Sequence, residues 1–183
     1  IQYLDLSLRE AQRCGSIVNN LLSFARQQPM APKVVDLCEI VDRVLHLTGH
    51  TMELHNIDLN LQMADCPLYL QADGSQVEQC VLNLVFNAME SMPEGGRITV
   101  RSGCEPETRR IWFSVTDEGV GISEADLAHI YEPFFTTKSD GSGVGLGLSM
   151  VYGIVREHQG EISVETAEGR GSTFRVRLPA APG

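Results

Sequence analysis

The spacing of apolar residues changes several times along this 183-residue chain, and these changes restrict the folds that it can form. In some segments apolar residues recur every three to four positions, as in an amphipathic helix. In others they recur at every second position, as in a half-buried strand. Helical runs alternate with short strands that look antiparallel, so the sequence predicts an α/β protein in which helices are layered on a sheet.

The pattern also gives approximate bounds for these elements. The predicted strands are 33–36, 57–63, 97–101, 111–115, 161–165 and 172–178. The predicted helices after residue 36 are 37–52, 75–91 and 148–157.

The first 28 residues predict one long amphipathic helix with two neighbouring apolar lines. One line is a heptad seam from Leu4 to Ala25. A helix with two apolar lines buries more than one side, as the helices of a four-helix bundle do. We therefore expect four parts: a bundle helix (1–28), a linker with a first strand (29–36), the main domain (37–179) and a tail (180–183).

Composition narrows the possible functions. The net charge of −10 argues against a nucleic-acid partner, because phosphate backbones select basic surfaces. The five cysteines form no C-x-x-C pair, which indicates neither a zinc site nor a disulfide framework and favours the cytoplasm. No apolar run approaches the ~20 residues that span a bilayer, so we expect no membrane contact by this segment. The absence of an initial methionine suggests a piece of a longer protein, whose other parts could include a membrane anchor.

Two asparagines mark the helix predicted at 75–91. Asn83 and Asn87 lie one turn apart, so their side chains share one face. Asparagine is a poor helix former, and two on one stripe need an explanation. A magnesium site that uses a side-chain carbonyl oxygen is one explanation. A solvated polar stripe is the other.

An aspartate follows the predicted strand 111–115. Asp117 has the same parity as the apolar residues Ile111, Phe113 and Val115, so its carboxylate is predicted to face the core. A buried carboxylate needs a hydrogen-bond donor, and an adenine amino group would serve. Gly119 and Gly121 would let the backbone pass close to a flat base. The alternative is an ordinary turn after a strand, which Asp and Gly both favour.

Glycines occupy alternate positions from Gly141 to Gly147, just before the predicted helix 148–157. Such a loop can present successive N–H groups to an anion, or it can form a mobile lid. It is not a Walker loop, because no Lys-Ser/Thr pair follows the last glycine. Upstream, Lys138 ends a segment with two adjacent phenylalanines and could meet a phosphate. The alternative, and the commonest role of such a segment, is simple packing. The five histidines match no metal or catalytic spacing, and we interpret them as structural or surface residues.

Taken together, these motifs resemble the conserved boxes of the sensor histidine kinases. In chain order, the asparagine, first glycine, phenylalanine and second glycine boxes correspond to Asn83–Ala88, Asp117–Ile122, Glu132–Lys138 and Gly143–Ser149. Gly171–Phe174 resembles the closing signature, with serine in the threonine place. The helix that ends near Arg26 is similar to the second dimerisation helix. The complete phenylalanine box and the Asn87–Ser91 run look most like the nitrogen-regulation-type branch.

This resemblance implies a Bergerat ATP-binding fold of the GHKL superfamily. That fold is a two-layer α/β sandwich, with a mixed sheet and three main helices, here preceded by one long bundle helix. It also implies that Asn87 ligates Mg²⁺, that Asn83 supports the metal or the phosphates, and that Asp117 binds the adenine amino group. The other ATP-binding residues that it implies are Gly119, Gly121, Ile122, Lys138, Gly143, Val144, Gly145, Leu146, Gly147, Leu148 and Ser172.

The implied reaction transfers the γ-phosphoryl group of Mg-ATP, with Asn83 and Lys138 as catalytic residues. Its acceptor would be a histidine on a dimerisation helix that this chain lacks, within a homodimer. A response regulator receiver domain would take the group next. Asn83 stands where DNA gyrase B and MutL ATPases carry a water-activating glutamate, and asparagine cannot act as a general base. A hydrolysing ATPase clamp and a non-catalytic nucleotide-binding module remain the alternatives.

Overall fold

A five-stranded mixed sheet is the base of the fold in the computed structural model, which describes residues 31–138 and 144–182. The strands, numbered in chain order, are β1 (Lys33–Asp36), β2 (Ile57–Gln62), β3 (Tyr69–Ala72), β4 (Gly96–Glu105), β5 (Arg110–Asp117), β6 (Glu161–Thr166) and β7 (Ser172–Pro179). The large sheet has the order β2-β4-β5-β7-β6, and β1 pairs with β3 in a separate antiparallel ribbon.

Three helices pack on one face of the large sheet. These helices are α1 (Leu37–Leu54), α2 (Gly74–Glu90) and α4 (Gly147–Glu157), and a single helical turn, α3 (Glu124–Leu127), lies between β5 and α4 in the chain. Alternate residues of β5 and β7 point into one hydrophobic core with the apolar sides of α1, α2 and α4. Phe113 and Phe174 are among the largest side chains fully buried there. The predicted two-layer α/β sandwich with a mixed sheet and three main helices is confirmed.

The start of α2 is fixed by an N-cap. The Asp73 carboxylate accepts hydrogen bonds from the backbone nitrogens of Ser75 (3.0 Å) and Gln76 (3.3 Å). The Asp73 backbone N–H in turn donates to Nε2 of His158 at 3.0 Å, and Nδ1 of the same ring lies 2.8 Å from the Ile154 carbonyl. Since His158 is buried at the end of α4, it ties the start of α2 to α4. This is a structural role, as the sequence suggested.

The sequence missed some elements. It gave no strand at β3 and no helix at α3. β2 and β4 run parallel, so the expectation of antiparallel pairs is wrong for this pair. The reason is that the connection between them passes through α2, and parallel neighbours need such a crossover. The predicted bundle helix at 1–28 lies outside the described residues.

The hydrogen bonds of the domain run beyond Pro179. The Ala180 backbone N–H donates to the Arg109 carbonyl at 3.0 Å, and that of Ala181 donates to the Tyr69 carbonyl at 2.8 Å. Residues 180 and 181 are therefore attached to the domain. No helix in the described ranges has both the length and the apolar character needed to cross a membrane.

The Asp73 cap predicts a pH-dependent contribution to stability. Asp73→Ala should lower the free energy of unfolding by about 1 kcal/mol at neutral pH, a typical value for a lost N-cap. Hydrogen bonds, the largest from the Ser75 side chain, lower the pKa of Asp73. The native state therefore binds this proton less tightly than the unfolded chain, and the contribution is lost as pH falls through the lowered pKa. Urea titrations at several pH values would measure this.

Asp65→Ala is the matched control, because Asp65 is an exposed aspartate just before β3. It should change stability by less than about 0.5 kcal/mol at every pH. Equal losses in the two variants would show that the Asp73 contacts do not cap α2.

Candidate functional site

A buried carboxylate ends β5. Asp117 is 3% exposed, and its Oδ1 accepts hydrogen bonds from Oγ of Ser91 (2.9 Å) and from the backbone nitrogens of Gly119 (2.9 Å) and Ser172 (3.3 Å). Burial raises the pKa of this carboxyl above the usual aspartate value, although these hydrogen bonds offset part of the effect. The inward direction predicted from the parity of β5 is confirmed.

All three donors bind the same oxygen. Within the described residues, the second carboxylate oxygen, Oδ2, accepts no hydrogen bond. Asp117 also lines a cavity of about 890 Å³, here called the central cavity, whose volume lies in the range of small-molecule sites. An oxygen of a buried carboxylate that faces a cavity is a built acceptor for a donor group on a ligand.

The central cavity collects most of the predicted ATP-binding residues. Of the fourteen, twelve line it: Asn83, Asn87, Asp117, Gly121, Ile122, Lys138, Val144, Gly145, Leu146, Gly147, Leu148 and Ser172. Gly119 does not line it, and Gly143 lies outside the described residues. The motifs are separated by up to about ninety positions in the sequence, and the fold brings them to one place.

Gly119 packs behind the carboxylate and not at the cavity wall. A Cβ atom on Gly119 would lie 2.2 Å from Oγ of Ser91, so this residue must be small for α2 and the β5 loop to approach. In this structure Gly119 serves Asp117 through its N–H. The sequence placed Gly119 beside the base, and that role stays a prediction.

Two hydroxyl residues of the site were missed from the sequence. Ser91, the C-cap of α2, donates to Asp117 and also contacts the Ala88 carbonyl. Thr166 ends β6, and its Oγ1 lies 2.9 Å from Oγ of Ser172 and accepts the Ile122 N–H at 3.0 Å. Ser91 ends the Asn87–Ser91 run, but no role in the site was predicted for it from the sequence, and Thr166 belongs to no motif. Each residue acts through partners that are remote along the chain.

The asparagine stripe of α2 faces the cavity and not open solvent. Asn83 and Asn87 are both half-buried and line the central cavity. Nδ2 of Asn83 lies 3.5 Å from the Met150 sulfur, which holds that amide against α4. Among the described residues, no group forms a hydrogen bond with the Asn87 side-chain amide. Its carbonyl oxygen is the kind of hard ligand that Mg²⁺ prefers.

The start of α4 forms another wall of the cavity. Leu146, Gly147 and Leu148 line the cavity, and within the described residues no side chain caps this helix. The first N–H groups of any α-helix lack an intrahelical acceptor, and those of α4 form a positive pole suited to an anion.

The charged side chains of the cavity are mostly acidic. In the described residues its lining contains four carboxylates but a single basic side chain, Lys138, and the carboxylates belong to Glu90, Asp117, Asp126 and Glu168. The ammonium of Lys138 forms an ion pair with Glu90. A polyanionic ligand would therefore need additional positive charge beside it.

Comparison with known proteins identifies the family to which this chain belongs. The family model described as "Histidine kinase-, DNA gyrase B-, and HSP90-like ATPase" matches residues 72–182. The sensor kinase CckA of Brucella abortus is 38% identical in an alignment 184 residues long, and the alignment covers 93% of this chain. This chain spans 19% of the length of CckA and 41% of sporulation kinase C of Bacillus subtilis.

Solved structures of histidine kinases are also similar to this chain. The catalytic domain of the histidine kinase ThkA is 34% identical, with a TM-score of 0.73 over 84% of this chain and all of that domain. A structure of ThkA in complex with the response regulator protein TrrA has a TM-score of 0.80 at 29% identity. That match covers 98% of this chain and 51% of the ThkA chain.

The glycines near Asp117 predict a selective loss of stability. A Cβ atom on Gly171 would lie 2.0 Å from the Asp117 carbonyl oxygen, whereas one on Gly169 would meet nothing within 4 Å. Both residues have a positive φ, 77° and 74°. Gly169→Ala should therefore cost only the left-handed backbone penalty, about 1–2 kcal/mol. Gly171→Ala should cost roughly 1–3 kcal/mol more because of the clash.

Urea unfolding of the two alanine variants measures this difference directly, since each serves as the other's control. Equal free energies of unfolding would contradict the close approach of Gly171 to β5.

Proposed function

The chain belongs to the histidine kinase-, DNA gyrase B- and HSP90-like ATPase family as a sensor histidine kinase catalytic domain, and from this premise we propose how its site works. In this proposal the central cavity binds one Mg-ATP. Its γ-phosphoryl group is then transferred to a histidine on a dimerisation helix of the parent protein.

The observation that supports the proposal is that two walls of the central cavity suit different chemical groups. One is the buried Asp117 carboxylate with its free Oδ2, which suits an exocyclic amino group. The other is the start of α4, which no side chain in the described ranges caps and which suits a phosphate chain. A purine nucleotide has an amino donor and a phosphate chain at its opposite ends. ATP therefore matches the cavity better than an inorganic anion, which would leave Asp117 unpaired.

The residues also fit a magnesium ion bound with the nucleotide. Four carboxylates and one lysine line the cavity, so the phosphates need a cation beside them. The described residues contain no cluster of three His, Cys, Asp or Glu side chains that would hold a metal by itself. Asn87 would thus supply a side-chain oxygen, with phosphate oxygens and water as the other ligands. The ion would neutralise phosphate charge and orient the γ-phosphoryl group.

Phosphoryl transfer depends mainly on positioning and charge stabilisation, and the described residues supply both. Asp117 anchors the base, while the α4 N–H groups and Lys138 hold the phosphates. Asn83 would support the metal ion or the phosphates, but its amide cannot remove a proton from water. Transfer to an incoming histidine is therefore favoured over rapid hydrolysis.

The partners of the reaction are proposed from the relatives. ThkA has been solved with the response regulator TrrA, so we propose a receiver domain as the final recipient here. Residues 1–28 are proposed to form the second dimerisation helix of a homodimeric parent. Because ATP is a cytoplasmic substrate, we place this domain in the cytoplasm. Asn83 and Lys138 are the residues that we propose for the transfer step.

Asp117→Asn tests the adenine contact. The asparagine oxygen would take the three protein donors and leave its amide nitrogen facing the adenine amino group, so donor would meet donor. Affinity for a non-hydrolysable ATP analogue with Mg²⁺ should fall about tenfold or more, as expected for a lost hydrogen bond to a charged acceptor. Isothermal titration calorimetry would measure it. An unchanged affinity would remove Asp117 from the site.

Two controls accompany this variant. Glu118→Gln changes the same charge at an exposed neighbouring position and should leave affinity unchanged. Thermal unfolding should show that Asp117→Asn does not destabilise the domain. Because burial raises the pKa of Asp117, the ionised carboxylate disfavours folding at neutral pH, and asparagine removes that cost.

The proposed reaction predicts that transfer of the phosphoryl group from ATP depends on a histidine acceptor. The chain alone should bind labelled ATP but release little phosphate. A separately produced dimeric helical domain that carries a histidine acceptor should become labelled when the chain is added. The same domain with that histidine replaced by alanine is the control. Vigorous phosphate release without any acceptor would favour a hydrolysing ATPase, and tight ATP binding without label transfer would favour a binding module.

A further inference from the structure

The ion pair between Lys138 and Glu90 lies in the lining of the central cavity. Glu90 is the last residue of α2, three positions after Asn87, and Lys138 ends the segment that contains Phe134 and Phe135. The Lys138 ammonium contacts Oε2 of Glu90, and the two side chains are 28% and 49% exposed. Both residues line the cavity. In the described structure, therefore, the one basic side chain of the lining is already paired with a carboxylate.

A bound terminal phosphate would compete with this carboxylate. An ammonium group has three donors and no acceptor, and both candidate partners are anions. Phosphate and carboxylate repel each other when they share one ammonium at short range. The pair is also partly exposed, and such pairs are weak, so a phosphate can displace the carboxylate at small cost. ADP lacks the γ-phosphate and would leave the pair intact.

We propose that Glu90 is a specificity-determining residue, which occupies Lys138 in place of the γ-phosphate and so lowers the preference of the site for ATP over ADP. The proposal rests on the nucleotide function given above. The site releases Lys138 to ATP and returns it to Glu90 once the γ-phosphoryl group has left. The product ADP then meets a cavity whose cation is neutralised.

The experiment is a double-mutant cycle on the whole chain, with a non-hydrolysable ATP analogue and ADP titrated separately at saturating Mg²⁺. Glu90→Gln should raise affinity for the ATP analogue about fivefold, the upper end for an exposed pair, and change ADP affinity less than about twofold. Lys138→Gln should lower affinity for the ATP analogue about tenfold, with little effect on ADP. In the Lys138→Gln background, Glu90→Gln should change affinity for the analogue by less than about twofold.

Glu168→Gln is the matched control, because Glu168 is another carboxylate of the same cavity. Its removal should affect the ATP analogue and ADP alike, through general electrostatics. Three results would overturn the proposal. They are weaker binding of the analogue by Glu90→Gln, equal gains for both nucleotides, and the same gain with Lys138 already replaced.

These outcomes separate this proposal from the proposed function. Failure of the unmodified chain to bind either nucleotide would reject both. The unmodified chain could instead bind nucleotide normally, while the effects of Glu90→Gln and Lys138→Gln on the binding free energy of the ATP analogue simply add. That result would reject only the role of Glu90.

Discussion

The buried Asp117 carboxylate must be surrounded by hydrogen-bond donors, and this requirement organises one end of the domain. Its donors come from three separate places: the end of α2 at Ser91, the loop after β5 at Gly119 and the start of β7 at Ser172. Each donor approaches the same oxygen. The arrangement fixes the positions of these segments and leaves the other oxygen without a donor among the described residues.

Close backbone approaches make this convergence possible. Gly119 lets the β5 loop reach Ser91, and Gly171 lets the β6–β7 turn reach the Asp117 carbonyl. Gly121 similarly faces the Ala167 carbonyl, where an added Cβ would lie 2.1 Å away. These glycines therefore shape the wall of the site through contacts between protein segments.

The features that the sequence predicted are those that depend on the periodicity of strands and helices. The parity of β5 placed Asp117 inward, and helical spacing placed Asn83 and Asn87 on one face, because both follow from local backbone geometry. Ser91 and Thr166 were not predictable, since their importance comes from contacts with Asp117 and Ser172 that no local pattern records. The parallel pairing of β2 with β4 was missed for the same reason. The ion pair of Glu90 with Lys138 joins residues 48 positions apart and is visible only in the fold.

A crystal structure of the chain with Mg²⁺ and a non-hydrolysable ATP analogue tests the central claim most directly. The account predicts the adenine amino group about 3 Å from Oδ2 of Asp117 and the phosphates at the N–H groups of Gly147 and Leu148. It also predicts a metal ion beside Asn87. A nucleotide bound elsewhere, or a base turned away from Asp117, would contradict it.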